Sequence, residues 1–402
     1  MSVDSWSILN EKLAAGESEQ AKSAAEALIG TQNISFRDLI GATRHAINAK
    51  QSAVALVLLA GGERFLRCQE SVPLQEFISE MTTLLAACWR EKMDEPARKI
   101  VDMSLHALSE PLPSKTRELA EVVSGFARMA GRLALLRKDD AWFEIIAVQT
   151  MTWMALADAG TVDGQALPVL ESWMHRIVKH ERLSAVSVIF AVMALLVPTA
   201  ADRKKFSGDF LREWRVAAAT ACLNPQSRVS AAMVEQLLLF AIKLEDKAFW
   251  PPAAQTIGEV AGFAVTRNGV VEGFPVMRPL LDVGRVMLGD ELKFGSGTDT
   301  DSLRQLIIRL ICEQTLRVCN LAARNDITAV TGDKLEEMYI NWMGTLEYEP
   351  HIRSIRRFCQ LLLIIWSHKH RRAAKKWAPR ERELSEPLLL SDDEQEKLTF
   401  LL

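Results

Sequence analysis

The sequence predicts an all-α protein built from helical hairpins stacked as a degenerate α-solenoid. Three observations predict it. Apolar residues recur at three- and four-residue spacing through nearly the whole chain of 402 residues, the period of a helix with one buried face. Alternating apolar and polar runs of the strand type are missing, and only two tyrosines occur. Turn residues punctuate the chain at short intervals, so helices of about 12 to 22 residues alternate with short loops, the signature of stacked hairpins.

Taken in order, Trp6-x-x-Leu9 opens the first helix, and AGESEQAKSAAEALI supplies a turn at Gly16 and a second helix. Phe36-x-x-Leu39 opens a third after the turn 31–35, and INAKQSAVALVLLA turns into a fourth. This pairing resembles a tetratricopeptide-style hairpin, and a tetratricopeptide- or HEAT-like array is the architecture it implies. The glycine, tyrosine and proline positions of the tetratricopeptide motif do not match, and its register does not continue beyond about residue 70. Further breaks fall at 110–114, Gly160 to Gly164, Pro198, Asn224-Pro225, Pro251-Pro252, Gly289 to Gly297 and Glu349-Pro350. The apolar run Val186 to Val197 is too short for a membrane span, which needs roughly 20 residues, and reads as a buried helix. The glycine-rich stretch 268–300 is the weakest helical region. It divides the chain into a helical-repeat array (1–288), a mobile loop (289–300), a C-terminal helical module ending in a basic helix (301–382) and an acidic–apolar tail (383–402).

Composition bounds the chemistry. Nearly half the residues are apolar, a quarter are charged, and net charge is −3, so the chain as a whole is no polyanion binder. The start, MSVDSWSILNEKLAAGES, lacks the basic-then-apolar pattern of a secretory signal. Six cysteines lie in apolar helical contexts without a CxxC pair. They read as reduced core thiols, which points to a cytoplasmic setting.

Catalytic and metal motifs are absent. GSGTDTDS (Gly295 to Ser302) lacks the Gly-Lys-Ser/Thr ending of a phosphate loop and the acidic ligands of a calcium loop. It reads as a loop ending in a helix cap. Glu171 and His175 stand one helical turn apart and read as a surface contact. Cys312 and Cys319 share a helix side too far apart for a disulfide. No catalytic residue, no metal site and no cofactor are assigned. Most of the ten tryptophans fall on apolar stripes and read as core, whereas Trp6, Trp250 and Trp377 sit beside helix ends, proline or charge and read as exposed anchors.

Charge is unevenly spread. From His351 to Leu402 the net is +4, which leaves −7 on the remainder. Stepping this segment at 100° per residue places Ile352, Ile355, Cys359, Leu362, Trp366, His370, Ala373 and Trp377 on one stripe. The opposite side is apolar before Ser367 and cationic after it. The candidate partner-binding residues are therefore Arg353, Arg357, Lys369, Arg371, Arg372, Lys375, Lys376, Trp377 and Arg380. They suit a protein partner with an acidic surface, or nucleic acid through phosphate contacts. The tail, with Leu388–Leu390 and Leu398–Leu402 around an acidic patch, could cover this helix itself. The functional expectation is a non-catalytic scaffold or adaptor subunit. Its alternatives are a nucleic-acid-binding subunit and an enzyme whose site is assembled from distant helices.

Overall fold

The computed structural model describes residues 2–30, 34–67, 72–109, 117–157, 159–244 and 246–288. Among them there is no strand; they form thirteen α-helices and a short 3-10 helix, Val197–Thr199. The first eight helices make four hairpins: α1 (Ser2–Ala15) with α2 (Ser18–Gly30), α3 (Phe36–Asn48) with α4 (Ser52–Arg67), α5 (Leu74–Glu91) with α6 (Asp94–Ser109), and α7 (Arg117–Leu136) with α8 (Asp140–Ala155). Each helix also packs on the next but one. α1, α3, α5 and α7 form one layer and α2, α4, α6 and α8 the other. This two-layer stacking of hairpins is the α-solenoid arrangement.

Contacts divide the chain into two compact units, Met1–Arg176 with Ala191–Phe206, and Ile177–Phe190 with Ser207–Leu402. In the first, α9 (Ala159–His180) continues the odd layer: Trp173 on α9 donates its indole N–H to the Ala127 carbonyl on α7 at 3.2 Å. In the second, Phe190 on α10 (Leu183–Leu196) meets Phe210 on α11 (Arg203–Ala221) and Phe240 on α12 (Val229–Leu244) at 5.9 and 5.7 Å. There α13 (Trp250–Leu288) packs on α12, and Arg215 on α11 pairs with Glu259 on α13 at 2.6 Å.

The same backbone device closes five hairpins. Gly16, Lys50, Lys92, Lys138 and Glu181 have φ of 74°, 59°, 59°, 59° and 52°. At each, the N–H of the left-handed residue bonds the carbonyl three back, and the next N–H bonds the carbonyl five before itself. Lys50 N meets Ile47 O and Gln51 N meets Ala46 O, both at 2.9 Å. This is the Schellman closure, which satisfies two orphan carbonyls at a helix end. Four of the five positions are not glycine, so each carries a left-handed cost of roughly 1 kcal/mol or more.

Glycines serve packing instead. A Cβ on Gly61 of α4 would stand 2.7 Å from Ile29 Cγ1 on α2, and one on Gly62 3.2 Å from Met103 Cε on α6. Adjacent glycines thus let one helix approach both even-layer neighbours.

Ion pairs and caps tie stacked helices together. Arg37 and Arg44 of α3 face Glu76 and Glu80 of α5 at 3.9 and 3.0 Å. Arg98 of α6 pairs with Asp139, and its guanidinium lies 4.7 Å from the Trp142 ring centroid. Asp139 in turn caps α8 by accepting the Trp142 N–H at 3.0 Å. That hydrogen bond, followed by the one from Arg98, holds the Asp139 carboxyl below the usual aspartate value.

Three expectations change. Trp250 is fully buried at the start of α13 rather than an exposed anchor; Trp173 and Trp214 are likewise buried. Pro251 and Pro252 explain its position, because proline is tolerated in the first helical turn, where no N–H is missed. Gly160 and Gly164 lie in the first turns of α9 and do not break the chain. α13 runs through Gly269, Gly273 and Gly284 to Leu288 without interruption. Each glycine costs a helix about 1 kcal/mol but forbids nothing. The loop 289–300, the module 301–382 and the tail 383–402 lie outside the described residues.

Candidate functional site

All nine residues of the basic segment read as partner-binding, from Arg353 to Arg380, lie outside the described residues. So do Cys68, Cys312, Cys319, Cys359 and the GSGTDTDS stretch. The remaining chain offers two surface features with chemistry of their own.

The first is the outer face of α8. Asp139 starts the helix, and Trp142, Phe143, Ile146, Met151 and Met154 turn into the core. At 100° per residue the opposite face collects Ala141, Ile145, Val148, Thr152 and, just past the helix end, Leu156. Ile145 is 50%, Val148 37% and Leu156 71% exposed. No charged residue lies between Glu144 and Asp158. A helix in a two-layer array needs one apolar face; α8 also presents Ile145, Val148 and Leu156 to solvent, among Glu144, Gln149 and Thr152.

The second is a cluster of arginines on α7 and α9. Arg128 and Arg132 are one turn apart on α7. Arg132 Nε donates to Ser172 Oγ on α9 at 2.6 Å, and Arg176 lies one turn beyond Ser172. Ser124 Oγ donates to the Gln165 carbonyl at 3.2 Å, so the two helices run in register. Trp173 fixes their separation. It is buried, and a Cβ on Gly131 would stand 2.1 Å from its Nε1. Desolvation, then the charges of Arg176 and Arg128, lower the Arg132 pKa. Among the described residues no carboxylate lies within ion-pair distance of these three arginines.

Other chemistry is quiet. His175 Nε2 and Glu171 Oε1 are 3.9 Å apart on the exposed side of α9, the surface contact their spacing predicts. Among the described residues no group of three His, Cys, Asp or Glu could hold a metal ion. Cys88 and Cys222 are free and buried, and burial pushes their thiols up to about 12 and about 11, far from the range of reactive cysteines. A groove of about 500 Å³ beside the α11–α12 turn is lined by Leu183, Cys222, Asn224, Arg228 and Asn268. Its floor is closed by Asn268 donating to the Cys222 carbonyl at 2.7 Å. Among the described residues no helix is long and apolar enough to cross a membrane.

No family model matches the chain, and no curated protein matches it. Among solved structures, one described as a circular tandem repeat protein with novel repeat topology and enhanced subunit contact surfaces aligns over 94% of this chain and 91% of its own. Sequence identity there is 13% and the TM-score 0.35. The fold class rests on the stacked hairpins themselves.

Neither surface feature is among the residues singled out from sequence. The uncharged run after Glu144 could have flagged α8. Arg128 and Arg132 could have been paired by their spacing, but Arg176 joins them only through the stacking of α7 on α9.

Proposed function

We propose that this chain is a non-catalytic interaction scaffold, an adaptor subunit of a larger cytosolic assembly that holds a protein partner. The exposed apolar face of α8 carries the reading. Ile145 and Val148, one turn apart, and Leu156 just past the helix end are exposed on a helix whose other face already fills the core. Contiguous exposed apolar surface is the mark of a protein contact, and it offers nothing to a phosphate backbone. Stacked hairpins supply the extended surface such contacts use. The basic segment from Arg353 to Arg380 is a second contact in this proposal, for an acidic surface of the same partner.

The test is affinity purification of the full chain from its native host, with and without nuclease, beside an Ile145→Glu/Val148→Glu variant. A defined protein retained after nuclease and lost from the variant is the expected result. Recovery that disappears on nuclease treatment, and survives the variant, would favour a nucleic-acid-binding subunit instead.

A further inference from the structure

The arginines of α7 and α9 stand apart from the rest of their layer. Between α3 and α5 each cation meets an acid, Arg37 with Glu76 and Arg44 with Glu80. Between α7 and α9 stand Arg128, Arg132 and Arg176, and among the described residues none of the three is in an ion pair; Glu171 of α9 faces His175 instead. Three like charges held near one another repel, and Arg132, half-buried, also loses hydration. The fold does not need this arrangement, since Trp173 on Gly131 and the Ser124–Gln165 bond already join the two helices. The buried Ser172 hydroxyl accepts the Arg132 Nε–H and so fixes that side chain between α7 and α9. Leu136, 39% exposed, follows one turn after Arg132 on the same side of α7.

We infer that Arg128, Arg132 and Arg176 are the docking site for an acidic segment of a partner protein, with Leu136 seating an apolar side chain beside its carboxylates. Charge complementarity is the argument: guanidinium forks match carboxylates in paired hydrogen bonds. Phosphate would satisfy the same forks. A nucleic-acid binder, however, draws its affinity from the number of phosphates it neutralises, and this patch has three cations next to an exposed leucine. The inference rests on the protein-scaffold reading above but uses a different surface from α8.

The test is fluorescence anisotropy with the full chain and a short labelled peptide of aspartate, glutamate and leucine. A single-stranded oligonucleotide of equal charge is the comparison arm. The variant is Arg128→Gln/Arg176→Gln, which leaves the Arg132–Ser172 bond in place. The expected result is peptide binding that weakens about tenfold or more in the variant, that weakens with added salt, and that the Ile145→Glu/Val148→Glu variant leaves unchanged. Equal peptide affinity in the wild type and the arginine variant overturns the inference, as does tighter binding of the oligonucleotide than of the peptide at the same salt. Loss of partner capture in the α8 variant with peptide binding intact tests the scaffold reading separately. An unchanged melting transition in the arginine variant shows that folding is not what changed.

Discussion

A Cβ on Gly131 would stand 2.1 Å from the indole nitrogen of Trp173, and that nitrogen is already committed to the Ala127 carbonyl. The ring is buried and rigid, so the two helices must part. Gly131→Ala is expected to destabilise the protein by about 2–3 kcal/mol, read as a lower urea midpoint. Gly125→Ala, on the same helix with nothing within 4 Å of the added carbon, is expected to stabilise by about 0.5–1 kcal/mol. Equal effects at the two sites would refute the close-packing account. The hairpin lysines behave in the opposite sense. Lys92 has a φ of 59°, and Lys92→Gly relieves a left-handed side chain at some cost in unfolded-chain entropy, for a net gain of about 0.5–1 kcal/mol. The melting temperature reports it. Asp139 supplies the pH dependence. Its carboxyl is held below the ordinary value by the Trp142 N–H and by Arg98. Its stabilisation is therefore complete above the unfolded aspartate pKa of about 3.9 and is lost as pH falls through the lower folded value. Asp139→Asn should flatten that part of the acid-unfolding curve relative to the wild type; an identical curve would remove Asp139 from the account.

At the scale of the element, α8 was legible as a helix but not as a surface. Its sequence is apolar nearly all round, which marks burial; the structure buries one face and shows the other. Only the stack decides which face is which. Ile145→Glu and Val148→Glu are accordingly expected to change stability by no more than about 0.5 kcal/mol, the range of ordinary surface changes, checked by thermal unfolding. A large loss would mean that the face is packed. α9 and α13 show the converse failure. Gly160 and Gly164 read as a break, and Gly269, Gly273 and Gly284 as part of the weakest helical region, yet all five lie within helices. Glycine weakens a helix by an amount that neighbouring packing can offset. The turn read at 31–35 was the more dependable sign: α3 starts at its end, where Ser35 accepts the Asp38 N–H at 3.1 Å. Trp250 was misplaced because flanking prolines look like a loop, whereas here they begin a helix with the indole turned inward.

At the scale of the whole molecule, the class was readable from periodicity and the repeat was not. The first two hairpins echo one another in Trp6-x-x-Leu9 and Phe36-x-x-Leu39. The later ones share backbone geometry rather than side chains. A left-handed turn written as Gly16 is visible; the same turn written as Lys50, Lys92, Lys138 or Glu181 is not. The arginine cluster was hidden for a related reason, because Arg128 and Arg176 become neighbours only once α9 stacks on α7. In an array where helices contact only near neighbours, stability is local. α1 packs on α2 and α3, whereas α5 packs on α3, α6 and α7 and α6 on α4, α5 and α8, so amide exchange is expected to be fastest in α1–α2 and slower in α5–α7. Uniform exchange across these helices would contradict a nearest-neighbour array.

The repeated Schellman joint sets a grammar for changes in chain length. Between Lys50 and Lys92 lies the span of one hairpin, and both of its ends are written in the same hydrogen bonds. Excising residues 51–92 would splice Met93 onto Lys50 with the turn's backbone pattern intact, whereas a cut of a few residues within α4 or α5 would leave that helix out of register with its neighbours. Whole two-helix units, not residues, are the natural step of length in this array.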